Sequence, residues 1–122
     1  MTKNELVETT NWVKQMSEDE RKALISGVAI KHITEREIKY SEIDMCLIAI
    51  QYPSASIVGG FQQWKKAGHD INPGVNGIAI WVNEESIKPK MVMIFDISQT
   101  QKGYLDIAQV WSRSKDIVKE VN

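Results

Sequence analysis

With a single cysteine, Cys46, the chain has no disulfide framework and no cysteine-based zinc site. Cys46 lies in the apolar run "DMCLIAIQ" and reads as a small buried hydrophobe rather than a nucleophile. Long hydrophobic runs are missing too. No apolar stretch approaches the roughly 20 residues that span a bilayer, and "MTKNELVETT" is no signal segment, so a cytoplasmic chain with no membrane partner is expected. An excess of one charge is also absent. Lys and Arg number 15 against 16 Asp and Glu, a net charge of -1, so no global basic field marks a nucleic-acid partner. Any such partner would have to be held by a local patch. Residues 1–57 carry 7 basic and 9 acidic side chains, and the remainder carries 8 and 7, a slight basic bias in the second half.

Catalytic constellations are equally scarce. His32 and His69 do not form the His-Glu-x-x-His spacing that sets two metal ligands one turn apart. His32 lies one turn beyond Val28 and reads as a helix-end residue. The pairs Asp19/Glu20 and Glu84/Glu85 fall in a helix start and a loop, where solvated charge is the ordinary reading. No Gly-x-Ser-x-Gly elbow or Walker loop occurs; "VGGF" ahead of a helix could offer backbone N–H groups to a phosphate, a weak signal. The expectation is a non-enzyme with no catalytic residue, no metal and no cofactor.

What is present is one domain, 1–122, with 43% hydrophobic and 25% charged residues, ordinary for a folded chain. Leu6, Val13 and Met16 suit one side of a first helix. Ser17 with Glu20 forms a capping box opening a second helix through Ala29, striped by Leu24, Ile25, Val28 and Ala29. Ser41 begins a third helix through Ile50, with Ile43, Leu47 and Ile50 inward, and Pro53 ends it. A short helix, "FQQWKKA", follows Gly59 and Gly60, with Gly68 as its C-cap. Period-two runs follow. Ile78, Ile80 and Val82 oppose Ala79 and Trp81, and Met91, Met93 and Phe95 oppose Val92 and Ile94. They predict two antiparallel strands joined by "NEESIKPK". Ile117, Val118 and Val121 suggest a helix toward the C-terminus. The class is α+β: N-terminal helices packed on a small antiparallel sheet, then a C-terminal helix.

Residues 61–102 concentrate aromatic and basic side chains: Phe61, Trp64, Lys65, Lys66, Trp81, Lys88, Lys90 and Lys102. Single-stranded nucleic acid is held by aromatic faces that stack on bases and by lysines that neutralise phosphates. Trp64 could equally be a core anchor, Trp81 is balanced between core and surface, and lysines alone are usually a solvated surface.

Three pieces in order, "WKKAG" from Trp64, "INPGVNGIAI" from Ile71 and "IFDISQT" from Ile94, resemble the N-terminal domain of the ArdC-type antirestriction proteins. The resemblance extends upstream through "SEIDMCLIAIQYPSASIVGGFQQW" and covers about half the chain, residues 41–102. It implies a domain that binds single-stranded DNA, carried on plasmids, phages or related mobile elements and often joined to a zinc metallopeptidase. On matching positions it implies turn glycines at Gly74 and Gly77 with positive φ. Gln99 and Thr100 would be uncharged partners of sugar-phosphate or base edges, or else turn caps. Where the family tends to be basic, this chain has His69, Asp70, Pro73, Val75 and Asn76, which should weaken phosphate neutralisation. With 122 residues, no room for the peptidase domain is expected in this sequence. A different class of reading uses the same scaffold as a protein–protein module. Its acidic first half, "SEDE" and "EREIKYSEID", would dock on a host protein or a separately encoded peptidase.

Overall fold

A computed structural model describes residues 1–28, 30–33, 40–82 and 87–101. The expected C-terminal helix, Lys102 and Ala29 lie outside the described residues. The first helix, α1 (Lys3–Gln15), opens on a Thr2/Glu5 capping box, and α2 (Glu18–Ile25) on the anticipated Ser17/Glu20 box. α2 ends at Ile25, short of the expected Ala29, and His32 belongs to a two-residue strand, β1 (Lys31–His32), rather than to a helix end. Ser41 caps α3 (Glu42–Gln51) by accepting from Asp44 N–H at 3.1 Å. There follow β2 (Ile57–Gly60), α4 (Phe61–Lys66), β3 (Asp70–Ile71), β4 (Ile78–Val82), β5 (Lys90–Asp96), a 3₁₀ turn (Ile97–Gln99) and β6 (Thr100–Gln101).

The fold is α+β, with helices leading into a four-stranded sheet of order β1-β2-β5-β4 and a separate β3-β6 ribbon. The four-stranded sheet is mixed, not purely antiparallel. β1 runs parallel to β2 on either side of α3, while β2-β5 and β4-β5 are antiparallel. The alternation along β4 and β5 sets their register. Ala79 opposite Met93 and Trp81 opposite Met91 share one face, and Ile78 opposite Ile94 and Ile80 opposite Val92 share the other.

Both faces are covered. Ala79 and Trp81 pack with Leu6 and Val13 of α1 and Cys46 and Leu47 of α3. On the opposite face Ile78, Ile80, Ile94 and Val58 pack with Ile48 and Ala55. A third cluster joins Trp64 and Ala67 to Ile33 and Ile57, with Ile71, Phe95 and Ile97 packed against it. Helix α3 contributes to two clusters because it lies along the outer edge of β4. Gln51 Oε1 accepts from Ala79 N–H and its Nε2 donates to Ala79 C=O, both at 2.8 Å. Asp44 Oδ1 accepts from Trp81 N–H at 3.1 Å. A helix thus satisfies groups that a further strand would otherwise pair.

Candidate nucleic-acid interface

The six-residue helix α4 divides its side chains sharply. Trp64 points inward and is 0% exposed, whereas Phe61, Gln62, Lys65 and Lys66 face solvent. Phe61 is 50% exposed, and four residues on, the Lys65 ammonium lies 6.0 Å from its ring centroid. The exposed face of α4 therefore carries one aromatic face and two cations within two turns.

Neither Trp64 nor Trp81 offers a ring to a ligand. Trp64 Nε1–H donates to Phe95 C=O at 2.9 Å inside the third cluster. Trp81, 6% exposed, donates from Nε1–H to Thr10 Oγ1 at 2.8 Å and packs beneath α1. Each is an apolar anchor whose single polar group finds a buried partner. Of Phe61, Trp64 and Trp81, Phe61 is the ring that faces solvent, and only the α4 geometry distinguishes its position from that of the inward Trp64.

Gln99 is buried as well. Its Oε1 accepts from Asp96 N–H at 3.0 Å and its Nε2 donates to Asn76 C=O at 2.8 Å, which leaves it the turn-capping role. Thr100, half-buried, donates from Oγ1 to Ile97 C=O at 2.7 Å. Asp96 is the hub of this corner. Its Oδ1 accepts from Ser56 and Ile57 N–H, and its Oδ2 from Ser98 N–H and Oγ–H, so the carboxylate is fully engaged in holding β2 and the 3₁₀ turn. Tyr52 OH bonds Ser98 Oγ and closes the network.

The three motif pieces therefore bind one another. "WKKAG" reaches "FDISQT" through Trp64 and Phe95, and Gln99 ties "FDISQT" to the 74–77 turn. Gly68 and Gly74 have φ of 84° and 78°, as turn residues in the left-handed region require. Gly77 does not have positive φ. It is small for a different reason: a Cβ there would lie 2.9 Å from Met93 Cβ. Gly59 and Gly60 are paired in β2 opposite Phe95 and Ile94, and Gly60 N–H is taken by Gln63 Oε1 at 2.7 Å, which removes the phosphate-loop reading of "VGGF".

Lys88 and Lys90 are exposed but are not gathered with Lys65 and Lys66. Lys90 pairs with Val82, four residues or about 13 Å of strand from Ile94, where β2 meets β5 and α4 begins. Cys46 is fully buried, and burial raises its thiol pKa, consistent with a packing role. Among the described residues, no group of three or more His, Cys, Asp or Glu side chains is placed to hold a metal ion. No helix among them is long and apolar enough to cross a membrane.

Two histidines flank α4 from beneath. His32 Nε2 meets Gln63 Oε1 at 3.1 Å, and His69, just past the helix, is 2% exposed with its ring centroid 5.2 Å from that of Trp64. Burial lowers the His69 pKa, and Asp70 opposes that shift. Comparison of the chain with protein-family models, curated proteins and solved structures returns no match.

Proposed function

We propose that this chain is a non-catalytic domain that binds single-stranded DNA through the solvent face of α4. The observation that carries the reading is the Phe61–Lys65 pair with Lys66 beside it: an exposed ring for a base, and two ammonium groups for the flanking phosphates. Stacking on such a ring contributes roughly 1–3 kcal/mol per base and tolerates any sequence. The resemblance to ArdC-type N-terminal domains supports the same partner. It suggests a role in DNA entry, replication or protection from restriction on a plasmid or phage. Lys88, Lys90 and Thr100 would add contacts only if the strand ran on past α4.

The reading is tested by anisotropy titration of a labelled oligonucleotide with Phe61→Ala and with a Lys65/Lys66→Ala double variant. Phe61→Ala should weaken binding by about five- to a hundredfold, the range that the stacking energy spans, and the double variant should weaken it by removing two phosphate contacts. Unchanged affinity in both would overturn it.

A second reading, a protein–protein module, is favoured by one observation. Trp12 on α1 is 57% exposed, a large aromatic on a helix well upstream of α4 in sequence. The partner would be a host protein or a separately encoded peptidase. Its test is co-purification of that partner with the wild-type chain and loss of the partner on Trp12→Ala.

A further inference from the structure

We propose that His69 is a pH-responsive latch beneath α4, which holds the helix against the β3–β6 ribbon while neutral and releases it on protonation. The conformational step stands on packing alone; its consequence for oligonucleotide binding rests on the reading of α4 given above.

The hydrogen bonds determine which ring nitrogen carries the proton. Thr100 has one hydroxyl proton, and Oγ1 donates it to Ile97 C=O at 2.7 Å. Thr100 Oγ1 can therefore only accept from His69 Nδ1, 2.9 Å away, which makes Nδ1 the protonated nitrogen. Nε2 then holds a bare lone pair, buried and without any hydrogen-bond partner. A second proton would have to go on Nε2, creating an N–H donor and a positive charge in a site where no described residue offers it an acceptor.

The latch touches the parts that it would hold together. His69 N–H donates to Trp64 C=O at 2.9 Å, its ring packs on the Trp64 ring, and Nδ1–H reaches β6. Charged groups on the surrounding elements do little to relieve an imidazolium. Asp70 on β3 is exposed and favours the charged form, but burial outweighs it. Lys65 and Lys66 on α4 are exposed cations. β6 and the 3₁₀ turn supply only Ile97, Ser98, Gln99, Thr100 and Gln101. Asp96 on β5 spends both carboxylate oxygens on Ser56, Ile57 and Ser98. His32 on β1 sits at the other end of α4, against Gln63.

Because the folded-state pKa lies below the ordinary 6.5, the unfolded or opened chain takes up the proton first as pH falls. The stabilisation from neutral His69 is complete above about 6.5 and is lost as pH drops toward the folded value. Within that window the opening equilibrium of α4 grows by up to about tenfold per pH unit.

The test is hydrogen exchange of the full chain at pH 7.5 and 5.5, corrected for intrinsic rates, on wild type and His69→Asn. The Asn side-chain N–H can replace Nδ1–H toward Thr100 and does not titrate, and the comparison removes any contribution from His32. Opening of residues 61–71 should rise severalfold at the lower pH in wild type and stay level in the variant. An equal rise in both, or none in wild type, would overturn the latch. Should His69→Asn not fold, an NMR titration of wild type reads the same point: the His69 ring and Trp64 must titrate together below 6.5, and a His69 midpoint at or above it contradicts the proposal. Oligonucleotide binding measured at both pH values separates the two claims. A pH response in α4 with no binding at either pH keeps the latch and removes the DNA reading.

Discussion

At Gly59 an added methyl group would lie 2.6 Å from Ile33 Cγ2 and 3.4 Å from Trp64 Nε1. Both neighbours belong to the fully buried third cluster, so Gly59→Ala is expected to destabilise by about 1–3 kcal/mol, read as a lower midpoint in urea unfolding. Phe61→Ala, two positions on and half-exposed, should change stability by about 0.5 kcal/mol or less while weakening oligonucleotide binding. The contrast between these neighbours separates scaffold from surface. It also shows what residue type alone reveals. That Trp, Phe and Lys cluster in 61–102 is legible in the sequence, and so is the buried character of Cys46. Which ring of Phe61, Trp64 and Trp81 faces out is decided by tertiary partners, Phe95 C=O and Thr10 Oγ1, that lie 31 and 71 residues away.

The strand edge that α3 covers is the clearest case at the level of elements. Gln51→Ala strips both partners from Ala79 and leaves a buried N–H and C=O unpaired, a loss of about 1–3 kcal/mol in denaturant unfolding. The Ser17/Glu20 capping box, the α3 span and the β4–β5 alternation could be read beforehand because they are local. Ser17 with Glu20 lies within one turn, and Ile78 to Val82 within one strand. β2 could not, since Gly59 and Gly60 end the apolar pattern that would mark it. β1, β3 and β6 are two residues each and exist only by pairing. The edge role of Asp44 and Gln51, seven residues apart on one helix, depends on where β4 comes to lie.

For the molecule as a whole, helices followed by a sheet give the α+β class directly from the sequence. The mixed topology does not follow, because β1 and β2 become parallel neighbours only when the chain passes through α3 between them. Net charge of -1 means that long-range steering is weak, so the proposed oligonucleotide binding would rest on contacts local to α4. Two lysine–phosphate contacts on a single strand give a shallow salt slope, so affinity should fall only about five- to tenfold between 50 and 200 mM salt. The Lys65/Lys66 double substitution should flatten that slope. The most direct measurement is anisotropy titration of one labelled oligonucleotide, single-stranded and then duplex, at those two salt concentrations. Preferential single-strand binding that weakens by that modest factor is the predicted result. Binding to neither form at 50 mM salt, or equal binding to both, would contradict the account.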